Sequence, residues 1–155
     1  EARQDPRQVS GLLMIVLDTN VVSEVQKPNP DKRVMAWLDA QEPGDLYITA
    51  VTAEELLFGA YILPIGDRRA RLVGTIEAIL QDDFNGRVLP YDVTASQFYA
   101  SRVSAARERG ITIGHADGQI GSIVAAQRAA KIATRDTGPF KAMRIEVINP
   151  WDYQP

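Results

Sequence analysis

The feature that most constrains the fold of this sequence is the uninterrupted apolar run Leu12-Leu-Met-Ile-Val-Leu17, which stops abruptly at Asp18-Thr19-Asn20. A run with no polar position leaves no face for solvent, so it reads as a strand covered on both sides and followed by a polar turn. Strands of that kind belong to parallel sheets packed by helices. The rest of the chain alternates accordingly. Asp31–Ala40 is a predicted helix with Val34, Trp37 and Leu38 on one stripe, ended by Glu42-Pro43-Gly44. Leu46–Thr49 is the second strand, and Thr52-Ala-Glu-Glu55 has the spacing of a capping box that opens a helix to about Leu63. A long amphipathic helix is predicted from Asp67 to about Asp83, then a strand over Arg87–Tyr91 and a helix over Thr94–Arg109 stopped by Gly110. A further helix begins near Asp117, and strands follow at Lys131–Arg135 and Ile145–Ile148. Strands alternating with helices, without repeat or linker, predict one three-layer α/β domain around a central, mostly parallel sheet. The expected domain is 14–155, with residues 1–13 an N-terminal extension outside the fold.

Composition narrows the chemistry. A chain of 155 residues can bury a full core. It has no cysteine, which excludes disulfides, thiolate zinc sites, iron–sulfur clusters and thiol nucleophiles. Its one histidine, His115, excludes a multi-histidine metal site. A bound metal would therefore be held by carboxylate oxygens, which favours Mg²⁺ or Mn²⁺. No apolar run approaches the ~20 residues needed to span a bilayer, and the polar start is not a signal peptide, so the expected location is cytoplasmic, with no membrane contact. The glycines form neither a phosphate-binding loop nor a dinucleotide-binding turn, and no serine lies in a nucleophile elbow.

In an open parallel sheet, ligands sit beyond the carboxyl ends of the strands. Four acidic positions fall there: Asp18 after the first strand, Glu54 or Glu55 in the helix after the second, Asp117 at a helix start, and Asp136 after the fourth strand. Carboxylates converging within a few ångströms repel one another unless a divalent cation lies between them, so the cluster implies a metal suited to phosphodiester hydrolysis. Each acid also has a purely structural alternative. Asp117 can cap its helix, Glu55 can complete the Thr52 capping box, and Asp136 can serve a turn. Asp18, abutting six apolar residues, is the hardest to explain that way. His115, near a helix start, reads as a hydrogen-bonded structural residue.

The segments Met-Ile-Val-Leu-Asp-Thr-Asn-Val-Val-Ser-Glu (14–24), Thr-Ala-Glu-Glu-Leu (52–56), Ala-Asp-Gly-Gln-Ile (116–120) and Ala-Thr-Arg-Asp-Thr-Gly-Pro-Phe (133–140) resemble the PIN-domain family, and within it the VapC and FitB-like toxins of bacterial toxin–antitoxin pairs. The resemblance runs in order from Met14 to about Tyr153. It implies a ribonuclease whose Asp18, Glu55, Asp117 and Asp136 surround Mg²⁺ or Mn²⁺, with Glu55 rather than Glu54 in the position before the leucine. Asp136 stands where relatives carry Asn or Asp, acting directly or through water. Two departures are visible: the stretch between Asp117 and Asp136 is about one residue longer than the family pattern, and His115 replaces a small or apolar residue. The implied reaction is endonucleolytic hydrolysis of RNA by metal-activated water, leaving 5′-phosphate and 3′-hydroxyl ends.

The resemblance also implies RNA as substrate, a small VapB-like antitoxin as partner, a homodimer, and a larger toxin–antitoxin assembly on DNA. The net charge of −3 is unusual for a nucleic-acid protein, yet setting aside four metal-held carboxylates leaves +1 elsewhere. Arg68, Arg69, Arg71, Arg102, Arg107, Arg109, Arg128 and Lys131 then suit a phosphate track, or simply a solvated surface. The helices near 52–80, carrying Phe58 and Tyr61, suit a partner surface or core. Two rivals remain: a non-catalytic PIN-like scaffold that binds antitoxin or RNA, and an aspartyl phosphatase using Asp18. The latter calls for a second acid two residues on, where this chain has Asn20.

Overall fold

The structure, a computed structural model, describes residues 13–155. Most of the expected N-terminal extension, and Leu12 of the apolar run, lie outside the described residues. Five strands, β1 (Ile15–Leu17), β2 (Leu46–Thr49), β3 (Val88–Leu89), β4 (Lys131–Ala133) and β5 (Val147–Ile148), form one sheet in the order β3-β2-β1-β4-β5. Every pairing is parallel. The seven α-helices among the described residues are α1 (Thr19–Val25), α2 (Lys32–Asp39), α3 (Ala50–Tyr61), α4 (Asp67–Ala78), α5 (Val93–Glu108), α6 (His115–Ala126) and α7 (Gly138–Ala142).

The doubly covered strand expected at 12–17 is present as β1, and its alternation divides the core. Val16 packs with Ala95, Ala106, Ile120, Ile123, Phe140 and Met143 on one face. Ile15 and Leu17 pack with Val21, Val22, Val34, Trp37 and Trp151 on the other. Burial on both faces is why the central strands read as unbroken apolar runs.

Some boundaries differ from the sequence expectation. The expected polar turn after β1 is instead helix α1, with Asp18 as its N-cap accepting from the Thr19 amide. Helix α3 starts at Ala50, capped by the Thr49 hydroxyl bonded to the Thr52 amide. Thr52 and Glu55 therefore lie inside the helix and form no capping box. Helix α4 passes into a π-helical turn, Ile79–Asp83, where the Phe84 amide reaches back to the Ile79 carbonyl at 3.0 Å. Short α7, rich in Gly and Pro, carries too little periodicity to be predicted. No helix among the described residues is long and apolar enough to cross a membrane.

The strand order sets the position of the site. Chain progression runs from β1 outward through β2 and β3, then returns to β4 and β5 on the other side of β1. The order therefore reverses between β1 and β4, and at such a switch point the loops leave a crevice beyond the strand ends.

Candidate metal and nuclease site

Asp18 and Asp136 follow the two strands that flank this crevice. The β1–β4 ladder extends one residue beyond Leu17, because the Asp18 amide donates to the Ala133 carbonyl at 2.9 Å. This fixes the Asp18 backbone, and its carboxylate is fixed in turn. Oδ1 accepts from the Thr19 amide at 2.8 Å, and Oδ2 accepts from the Thr134 hydroxyl at 2.8 Å and from Asn20 Nδ2 at 3.3 Å. Asn20 Nδ2 also reaches the Thr134 hydroxyl at 3.1 Å, and the Asp136 amide donates to the same oxygen at 3.1 Å. Thr134 thus links the Asp18 carboxylate to the backbone that carries Asp136.

Glu55 is joined to the same cluster from α3. The Thr19 hydroxyl donates to Glu55 Oε1 at 2.9 Å and lies 3.0 Å from the Thr52 hydroxyl. Its neighbour Glu54 makes no such contact among the described residues. In a helix adjacent side chains diverge by about 100°, so Glu55 and not Glu54 faces the crevice. Asp117 is the third residue of α6, which begins at His115 with Gly114 as N-cap. Its Oδ2 lies over Gly114, 3.8 Å from where a Cβ there would stand.

The electrostatics tie the four acids together. Asp18 is buried, with 5% of its surface exposed, and its pKa is pushed up to about 6. Loss of hydration is the main cause; the Thr134 and Thr19 hydrogen bonds oppose it, while the charges of Asp117 and Glu55 add to it. Asp117 is likewise raised, by burial first, then by the charges of Asp136 and Glu55. The charges of the other acids thus add to the rise at both Asp18 and Asp117. As they stand, no three acidic or histidine side chains among the described residues close round a common point. Hydrogen bonds already occupy Asp18 and one oxygen of Glu55. The donors are all hard oxygens, and the like charges would be relieved by a cation between them, so the set fits Mg²⁺ or Mn²⁺.

A second buried acid nearby shows the contrast. Glu24 accepts from the Asp31 amide at 3.0 Å and pairs with Lys27 at 2.5 Å. Its pKa is held below the usual range, chiefly by the Lys27 contact, and its role in closing the 27–31 turn is structural.

The matrix of small residues behind the site is equally specific. A Cβ at Gly118, one residue past Asp117, would stand 2.6 Å from Tyr99 Cε2. Gly118→Ala is therefore expected to destabilise the protein by about 1–3 kcal/mol, seen as a lower denaturation midpoint. A glycine-to-alanine change at an open helix position would instead stabilise.

A family model described as PIN domain matches residues 15–146. The chain belongs to the PIN domain family. Among curated relatives, VapC ribonuclease Y4jK of Sinorhizobium fredii is 45% identical over 139 residues, covering 90% of this chain and 99% of that one. Toxin FitB of Neisseria gonorrhoeae is 42% identical over 138 residues, covering 89% and 99%. Among solved structures, FitAcB from Neisseria gonorrhoeae superposes with a TM-score of 0.84 at 40% identity, covering 90% of this chain and 99% of that one. A structure of FitAB bound to a DNA fragment gives the same score and identity, covering 92% and 99%. The PIN fold expected from the four sequence segments is thus present, as a three-layer parallel domain. Two hydroxyls of this cluster, Thr134 and Thr52, are not marked as site residues by the sequence, where Thr52 reads only as a helix cap. The first lies within the Thr-Arg-Asp segment, but nothing in the sequence aims its hydroxyl at Asp18.

Proposed function

We propose that this PIN domain is an endoribonuclease dependent on Mg²⁺ or Mn²⁺, and that it is the toxin of a toxin–antitoxin pair. The observation that carries the reading is the gathering of Asp18, Glu55, Asp117 and Asp136 at the switch point of the sheet, where the charges of Glu55, Asp117 and Asp136 add to the raised pKa values of Asp18 and Asp117. Asp18, Glu55 and Asp117 would hold the cation, with Asp136 contributing directly or through water. When bound, the ion would acidify water and offset charge on the phosphoryl oxygens. The chain's own part is to position the carboxylates. Thr134 and the Thr19 amide orient Asp18, the Thr19 hydroxyl orients Glu55, and the first turn of α6 presents Asp117.

The names of the relatives support both halves of this reading, one being called a VapC ribonuclease and another a toxin. A small antitoxin partner, and an assembly on DNA, are supported by the FitAB complexes of similar fold. An apolar face supports a protein partner as well: Phe58, Ile62 and Ile65 are 66%, 67% and 92% exposed at the junction of α3 and α4. These residues do not enter the core, so the partner-surface reading of this region is the better supported. Phe58→Asp with Ile65→Asp is expected to weaken antitoxin binding by about a hundredfold, measured calorimetrically against the chain's own antitoxin.

The test of the activity is incubation of bulk tRNA and rRNA with the protein in Mg²⁺ and in EDTA, followed by identification of the new ends. Cleavage in Mg²⁺ alone, with 5′-phosphate and 3′-hydroxyl ends, is the expected outcome. Full cleavage in EDTA would sink the metal reading, and 2′,3′-cyclic phosphates would refute water as the nucleophile.

A further inference from the structure

Beside the acidic cluster is a cavity that none of the four carboxylates lines. It encloses about 340 Å³ between α5 and the 110–114 segment leading into α6, and its walls are Tyr99, Val103, Arg107, Ile111, Thr112 and Ile113. Tyr99 joins it to the nuclease site. Its hydroxyl lies 3.0 Å from Nδ1 of His115, the rings meet edge to face with centroids 5.5 Å apart, and His115 is two residues from Asp117. One edge of the tyrosine ring rests on Gly118, where any Cβ would collide with it. The ring is therefore held in place on the cavity wall, by the hydroxyl on one side and the glycine on the other.

We propose that this cavity is a nucleobase subsite, receiving the base of a nucleotide that flanks the phosphate bound at the acidic cluster. The inference rests on the ribonuclease reading above. Single-stranded RNA is recognised by stacking of splayed bases on aromatic or guanidinium planes and by hydrogen bonds to their edges. The walls supply those groups: the Tyr99 ring, the Arg107 guanidinium and the Thr112 hydroxyl, among apolar Val103 and Ile113. Arg107 is exposed and forms no ion pair among the described residues. Polar and apolar groups share these walls about equally, an arrangement that matches a flat base with an apolar face and a polar edge. The volume lies within the range of small-molecule pockets. Tying α5 to α6 through Tyr99 and His115 would need neither an open cavity nor an exposed arginine on its wall.

The test uses a short synthetic RNA spanning a cut site mapped on bulk tRNA, made with all its bases and with an abasic ribose on either side of the cut. With the wild-type protein in Mg²⁺, removing the base at one flanking position is expected to lower kcat/KM about tenfold. Tyr99→Ala and Arg107→Ala are expected to lower kcat/KM on the intact RNA and to respond less to the missing base. Tyr99→Phe, which keeps the ring, should retain the wild-type penalty. An abasic penalty equal in the wild type and both alanine variants, or none in any of them, would overturn the subsite. So would a shift of the variants to a smaller species in sedimentation with the abasic penalty unchanged, which would assign the cavity to contact between copies of the chain. Absence of any Mg²⁺-dependent cleavage by the wild type fails the ribonuclease reading itself.

Discussion

Asp18→Asn is expected to lower RNA cleavage by about a thousandfold while making the metal-free protein more stable at neutral pH. On the proposed reading the loss follows because Asn keeps the shape of Asp18 but gives up the charge that would hold the cation. The stability gain has a sign that can be checked. Burial raises the folded-state pKa of Asp18 to about 6 from an ordinary value near 3.8. A carboxyl raised in this way contributes stability below its unfolded pKa, and that contribution is lost as pH rises through the folded value. Between about pH 4 and 6 the metal-free wild type should therefore decline relative to the variant, by up to about 2–3 kcal/mol at pH 7. Thermal unfolding in EDTA at pH 4 and pH 7 measures this: the difference between the two proteins should open only at the higher pH. A variant less stable than the wild type at pH 7 would show that the hydrogen bonds from Thr19 and Thr134 outweigh the cost of burying the charge.

Phe140→Ala is expected to destabilise the fold by about 3–5 kcal/mol, among the largest losses that a single core substitution causes. Phe140 is fully buried in α7, four residues beyond Asp136, and packs in the same cluster as Met143, Ile120 and Ile132. Met143 in turn lies against Gly121 of α6, where a Cβ would stand 2.6 Å from its sulfur. The phenylalanine thus anchors the segment that follows the Asp136 turn to the helix carrying Asp117. A domain of this size is stable by only about 5–15 kcal/mol, so the variant should unfold at a much lower urea concentration. Phe140→Leu, which keeps most of the volume, should lose much less. Equal losses for both would show that the ring is not close-packed.

How far the structure was legible in the sequence follows from the kind of signal involved. β1 was plain because burial on both faces forbids polar residues along it, and the same property placed Asp18 at the carboxyl end of the central strand. The helices with strong stripes, α2 and α4, were also plain. Helix α1 was hidden because its cap is Asp18 itself, a residue that also suits chemistry, so the polar run after the strand looked like a turn. The start of α3 was misplaced because Thr49 and Thr52 both suit a cap by type, and only the fold shows which hydroxyl meets an amide. Within the site, Asp18, Glu55, Asp117 and Asp136 were named from position and resemblance. The choice of Glu55 over Glu54 gains a physical basis from the Thr19 hydroxyl. Thr134 was not legible, because its part depends on a hydrogen bond to a residue far away in sequence.

The central claim, that the four acids gather a divalent cation for RNA cleavage, is tested most directly by titrating Mn²⁺ into the metal-free protein. Bound ion would be followed by electron paramagnetic resonance, with RNA cleavage measured in the same samples. The expected result is saturable binding in step with the rise of cleavage, with both lost in Asp117→Asn. Cleavage at full rate without saturable binding, or saturable binding undiminished in Asp117→Asn, would contradict it.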